Sequence, residues 1–329
     1  MNIRKTFFIS CLLLIGLAFV VNAGIAEAAP YPNKPITVIQ GYKPGGGSDT
    51  LAQLTQPTLE KYIGINFINQ YMPGANSAIA WTRLAKQTKG DGYTWGILNA
   101  PAMYANYIMS SEIQYSVDDI DVLANVASDP IIFVVAQDHP FKTLDDMIKA
   151  CKENPGKITS AISGVGTDDF FAILLTHQAM GIKTQVVPFD GDGPSWQAAM
   201  GRKIDVSISN VGISYPQIKA GNLRALGVMT EKRIELLPDV PTMKELGYDL
   251  VVASYRGYAM PKGAPAEVKA HIIEAFKKMA ADPAFIKACN DRATVIDMKY
   301  GDEYRAMLER DVKMTKELWD QVKSEYSKR

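Results

Sequence analysis

Apolar and polar positions follow two alternating periods along most of the chain. Short aliphatic and β-branched runs at residues 36–40, 66–71 and 93–98 read as strands, with amphipathic helical stretches at 50–62 and 77–88 between them. Strand–helix–strand order of this kind predicts a parallel sheet covered by helices. The alternation then repeats, with strands at 131–136, 158–163, 185–189, 206–209 and 223–229 and helices at 144–153, 169–180 and 195–200. After a strand at 251–260 the pattern is helical, at 266–281, 283–291 and 302–326. Domains joined end to end usually have a polar or Pro/Gly-rich linker between them. None separates these sets, so strands at 121–135 and 251–260 are expected to make the crossings. The predicted fold is α/β, two lobes joined by crossover strands with a ligand cleft between them. Lobe 1 is discontinuous, 29–128 and 252–329, and lobe 2 is 129–251.

Composition fits this picture. An apolar fraction of 47% in 329 residues supplies a core for each lobe. Thirty-five basic residues balance 35 acidic ones, leaving no excess for a phosphate backbone, so nucleic acid is not an expected partner. The first 28 residues read as a secretory signal. Arg4 and Lys5 precede an apolar run at 7–21, and Ala26 and Ala28 form an A-x-A cleavage site. That run is too short to span a bilayer. Cys11 sits inside it, which argues against a lipoprotein. Cys151 and Cys289, the remaining cysteines, are expected as buried free thiols rather than a disulfide.

Candidate chemistry lies in the loops after strands. Gly41-Tyr42-Lys43-Pro44-Gly45-Gly46-Gly47-Ser48-Asp49 follows the first strand and opens a helix, so its backbone N–H groups can cradle an anion. The same residues also make an ordinary turn with Ser48 or Asp49 as N-cap, and the segment alone does not decide. No Walker A lysine and no G-x-G-x-x-G is present, which removes support for a nucleotide. Ser163-Gly164-Val165-Gly166-Thr167-Asp168 has the same form in the second lobe, and the two loops facing each other would clamp a carboxylate. Asp190-Gly191 forms a third loop, as ligand acceptor or as capping turn, and Gly74–Ser77 a fourth, more readily a capping turn. Arg256 either meets a carboxylate through its guanidinium fork or holds the hinge by an ion pair. Catalysis finds little support. His139, His177 and His271 share no metal spacing, and there is no G-x-S-x-G elbow or C-x-x-C pair.

The loops and several later stretches together resemble the extracytoplasmic solute receptors of the tripartite tricarboxylate transporter family, the Bug receptors. The resemblance rests on Tyr31-Pro32-Asn33-Lys34-Pro35-Ile36, Pro44-Gly45-Gly46-Gly47-Ser48-Asp49, Asp91-Gly92-Tyr93-Thr94, Gly221-Asn222-Leu223-Arg224-Ala225-Leu226, Leu237-Pro238-Asp239-Val240-Pro241-Thr242 and Pro261-Lys262-Gly263-Ala264-Pro265. It implies a type 2 periplasmic-binding-protein fold and a periplasmic receptor, not an enzyme. It also implies a small organic carboxylate ligand and delivery to a membrane permease of large and small subunits. A secreted two-lobed α/β enzyme acting on a small carboxylate is the alternative, and presentation to a sensor kinase a third reading; the receptor is expected as a monomer, and no cofactor is implied. The resemblance places the ligand on Gly45, Gly46, Gly47, Ser48 and Asp49, then Ser163, Gly164, Val165, Gly166 and Thr167, with Asp190 and Gly191, and the residues themselves add Tyr42, Asp168 and Arg256 as candidates. In one respect the chain departs from the family. A histidine often follows the second loop's glycines, whereas here stand Asp168, Asp169, Phe170 and Phe171. If either aspartate faces the cleft, a monocarboxylate or a ligand with an amino or hydroxyl group is favoured; if both only cap the helix, di- and tricarboxylates remain open. Phe170, Phe171, Trp196, Tyr42 and Tyr255 either leave room for an aromatic acid or belong to the core.

Overall fold

The structure is a computed structural model that describes residues 31–326 apart from Gly46, Asp190 and Ala293. The expected signal, 1–28, lies outside the described residues. The chain begins with β1 (Ile36–Gln40), α1 (Gly47–Ile63), β2 (Phe67–Tyr71), α2 (Ala78–Gln87), β3 (Thr94–Ala100), α3 (Ala102–Met109), a 3-10 turn (Val117–Asp119) and β4 (Ile120–Ala136). It continues through α4 (Leu144–Glu153), β5 (Thr159–Ile162), α5 (Asp168–Met180), β6 (Gln185–Pro188), α6 (Asp192–Met200), β7 (Val206–Asn210), α7 (Val211–Lys219) and β8 (Leu223–Val228). It ends with β9 (Ala253–Pro261), α8 (Ala266–Ala280), α9 (Pro283–Asp291), β10 (Val295–Tyr300) and α10 (Gly301–Tyr326).

Strand order along the main path is β2-β1-β3-β9-β4-β7-β5-β6, and β8 and β10 also pair with β4. The βαβ units give parallel pairs: β1 with β2 and β3, and β5 with β6 and β7. Every pairing made by β4 or β9 is antiparallel. The expected parallel sheet is therefore mixed. β4 leaves the first set of units and β9 returns beside it, and a chain that goes out and back through neighbouring strands must run antiparallel.

β4 is 17 residues long and serves both lobes. Ile120 to Pro130 pair with β9, while Ile131 to Ala136 pair with β7 and β8. Pro130 stands where the partners change, a place that suits a residue with no N–H to give. Opposite Asn125 lies Gly257, whose α-carbon leaves no room for a side chain: a Cβ there would stand 2.3 Å from the Ala124 carbonyl oxygen. The register slips between Asn125 and Ala127, a bulge of the kind that redirects neighbouring side chains. The segment 295–300, expected to lie in helical chain, is instead β10, antiparallel to β4 and half-buried throughout.

Each lobe has its own core. Trp81, Leu84, Leu98, Met103, Ile120 and Leu308 pack in the first, and Ile131, Phe133, Phe170, Ile173 and Ile208 in the second. Helix α10 takes part in both: Tyr304, Met307 and Leu308 lie in the first core, Leu318 and Trp319 in the second. Cys151 and Cys289 are buried free thiols, and burial pushes both up to about 11. Among the described residues, no helix is long and apolar enough to cross a membrane.

Candidate functional site

A cavity of about 280 Å³ lies where the two lobes meet, and it is lined by the first turns or caps of five helices. Gly47 and Ser48 belong to α1, Pro101 and Ala102 to α3, Thr167 and Asp168 to α5, Gly191 and Asp192 to α6, and Asn210 to α7. Free N–H groups and a positive partial charge concentrate at such ends. The topology explains the convergence, because in open α/β units the helices that follow strands begin at the same edge of the sheet.

From the first lobe come Tyr42, Gly47, Ser48, Asn76, Asn99 and Ala100. Ser48 is buried and accepts a hydrogen bond from Asn99 Nδ2 at 2.8 Å. Tyr42 donates from its hydroxyl to Asn76 Oδ1 at 2.9 Å, and burial raises its pKa. Asp49 points elsewhere. Its carboxylate accepts from Gly45 N at 2.9 Å, Gln53 Nε2 at 3.0 Å and the Tyr71 hydroxyl at 2.5 Å, and the Tyr71 and Gly45 bonds hold its pKa below the usual range. It fixes the glycine loop from behind and does not line the cavity. Gly45 borders neighbouring cavities instead, and Gly46 lies outside the described residues.

The second loop divides in the same way. Ser163, Thr167 and Asp168 line the cavity; Gly164, Val165 and Gly166 do not. Gly166 takes a φ of 89°, and a Cβ there would meet Met109 Sδ of α3 at 3.0 Å, so this glycine lets the loop lie against the first lobe. Val165 is 40% exposed. The paired aspartates separate by role. Asp169, 1% exposed, accepts from Ser163 N, Ser163 Oγ, Thr167 Oγ1 and Phe170 N and so ties the loop to α5. Asp168 faces the cavity and accepts from Asn210 Nδ2 at 2.7 Å. Burial raises its pKa, opposed by the Asn210 bond and the Arg256 charge. Gly191 lines the cavity; Asp190 lies outside the described residues. Phe170 and Phe171 are core residues.

Arg256 stands on the crossing strand β9 with Ser254, on the face toward the cavity, while Ala253 and Tyr255 face away. Its Nη1 is 3.6 Å from Asp129 Oδ2, and Asp129 Oδ1 accepts from Gly212 N at the start of α7 at 2.8 Å. Burial raises the pKa of Asp129, with Arg256 and Gly212 acting in the opposite sense. On its other side Arg256 covers Gly47, where a Cβ would stand 2.7 Å from Nε. Arg256 thus makes an ion pair within the protein and also lines the cavity.

Four polar residues of the cavity were not singled out in the sequence, Asn99, Asp192, Asn210 and Ser254, while Asn76 comes from the fourth loop. Asp192 is the notable one, for its pKa is pushed up to about 7, first by burial and then by the Asp168 and Asp129 charges. A larger cavity of about 740 Å³ lies on the other face of β9, but it meets none of the glycine loops. The histidines are structural where described in detail: His139 is buried, its Nδ1 accepting from Phe141 N at 3.1 Å, and His177 bonds Thr184 at 2.8 Å.

Known proteins share this fold. A family profile for the tripartite tricarboxylate transporter family receptor matches residues 51–322. Protein BugT of Bordetella pertussis is 31% identical over 284 residues, covering 83% of this chain and 86% of its own. A TctC solute binding protein from Polaromonas superposes with a TM-score of 0.76 at 26% identity, covering 88% of this chain and 99% of its own. MatC from Rhodopseudomonas palustris, solved with bound malate, has a TM-score of 0.74 at 21% identity over 88% and 99% of the two chains, a likeness of fold. The family and its solved structures are solute-binding receptors, not enzymes. Two α/β lobes closing on a polar cavity, with a profile match across nearly all the described residues, lead to one conclusion: the chain belongs to the tripartite tricarboxylate transporter receptor family.

Proposed function

We propose that this receptor is exported to the periplasm after loss of residues 1–28, captures a small organic carboxylate between its lobes, and delivers it to a membrane permease of large and small subunits. Its lobes are 29–128 with 252–329, and 129–251, with α10 bracing the pair through Trp319. The observation that carries the reading is the convergence of five helix N-termini and Arg256 on one cavity of about 280 Å³. Tyr42, Gly47, Ser48, Ser163, Thr167, Asp168, Gly191 and Arg256 form the ligand site, joined by Asn99 and Asn210. Charge-assisted hydrogen bonds contribute about 1.5 to 3 kcal/mol each, so three or four of them support micromolar binding, about 8 kcal/mol. Because ligand touches both lobes only when they are closed, it stabilises the closed form by its differential affinity, and the closed form docks on the permease.

The test is thermal stabilisation of the mature protein by mono-, di- and tricarboxylates, amino acids and aromatic acids, each beside its uncharged amide. A ligand at 100 times its dissociation constant adds about 2.7 kcal/mol. Stabilisation by an acid and not by its amide supports the reading; stabilisation by amides as readily as by acids contradicts it.

A further inference from the structure

The two walls of the cleft differ in charge. On the first-lobe wall, α3 begins without an acidic residue, and the only acid in the first turn of α1, Asp49, is turned back onto its own loop. Arg256 lies beside that wall, over Gly47. On the second-lobe wall each helix start meets a carboxylate. Asp168 opens α5, Asp192 opens α6, and Asp129 accepts from the first turn of α7. Three aspartates thus stand against one guanidinium. Asp129 is the one paired with it, at 3.6 Å. Asp168 accepts at Oδ2 from Asn210 Nδ2, and among the described residues Asp192 has one hydrogen bond, a long one of 3.5 Å from Ser209 Oγ. Among the described residues, no lysine or histidine lines this cavity.

A simple dicarboxylate would bring its second anion against Asp168 and Asp192, where like charges at short range in a partly buried site repel strongly. A protonated amine in the same place has three N–H donors for those two carboxylates and cancels their charge. We propose that the ligand is an amino carboxylate, its carboxylate seated by Arg256 and the N-termini of α1 and α3, its ammonium group by Asp168 and Asp192. This rests on the carboxylate-receptor reading above and narrows it. Arg256 and the aspartates then work as a polarity gauge that sets the ligand's direction in the cleft.

The test is calorimetric titration of the mature protein with matched pairs of amino acid and des-amino acid: aspartate and succinate, glutamate and glutarate, β-alanine and propionate, γ-aminobutyrate and butyrate. In at least one pair the amino acid is expected to bind about tenfold tighter or more, the order of one buried charge-assisted bond. Asp168→Asn and Asp192→Asn should each reduce that preference. Tighter binding of the des-amino acid in every pair overturns the inference and leaves the carboxylate-receptor reading standing. So does a preference for the amine that survives in both variants. Absence of binding by all four amino acids, with stabilisation by a tricarboxylate or an aromatic acid in the wider panel, likewise overturns the inference and leaves the carboxylate-receptor reading standing.

Discussion

Arg256 and Asp129 face each other across the two crossing strands, Nη1 to Oδ2 at 3.6 Å. Asp129 also holds the first turn of α7 through Gly212, while Arg256 roofs Gly47 at the first turn of α1. The pair therefore touches one helix of each wall of the cleft. Replacing Arg256 by alanine removes a cation from the ligand and leaves Asp129 underpaired. Arg256→Ala is expected to weaken carboxylate binding by about 2 kcal/mol or more, and to lower the melting temperature. Titration beside a melting curve checks this, and a lowered melting temperature with unchanged affinity would make Arg256 purely structural.

Gly47 offers a gentler perturbation. An added methyl would lie 2.7 Å from Arg256 Nε, so the guanidinium must shift, whereas the first turn of α1 tolerates alanine well. Gly47→Ala should cost about tenfold in affinity, roughly 1.4 kcal/mol, with little change in melting temperature. A large loss of stability at unchanged affinity would contradict this.

The pH response of the free protein has a definite sign. The folded pKa of Asp192, about 7, lies above its ordinary 3.8 because of burial and the charges of Asp168 and Asp129, with Arg256 and Ser209 opposing. Between about pH 4 and 7 the folded state keeps a proton that the unfolded state has lost, so stability falls as pH rises through that window. Asp192→Asn should remove this contribution and raise the melting temperature near pH 8. Melting curves from pH 4 to 8 for both proteins decide it, and equal slopes would rule it out.

Trp319 tests the bracing role of α10. It is 6% exposed within the second core, while Leu308, eleven residues earlier, lies in the first. Trp319→Ala should cost about 3 to 5 kcal/mol of stability, seen as a lower denaturation midpoint. A cost below about 1 kcal/mol would mean that α10 does not brace the second lobe.

Much of this was legible from local pattern. The apolar run of β1 and the Asp282–Pro283 start of α9, where Asp282 accepts from Ala284 N at 2.8 Å, are local signals and fall where the sequence places them. The strand β10 was missed because its half-buried residues, with Asp297 and Lys299 among them, draw their order from β4, some 170 positions away in the chain. α7 was missed because Pro216 lies inside it, and α3 because its apolar residues give little helical contrast to polar ones. At the site, the glycine loops announced themselves through composition. Which of Asp168 and Asp169 turns inward depended on Ser163 and Thr167 claiming Asp169, a matter of side-chain geometry. Asn99, Asn210 and Ser254 sit at or near strand ends and gain meaning only from strand order.

In the proposed receptor, ligand is held between the lobes by these helix starts. Amide hydrogen exchange, measured with and without the carboxylate that most stabilises the mature protein, tests it most directly. Added protection is expected on both walls at once, at residues 47–48, 163–168 and 191–192, and along β9 at Ser254 and Arg256. Protection confined to one lobe, or centred on the cavity behind β9 at residues 230–236, would contradict it.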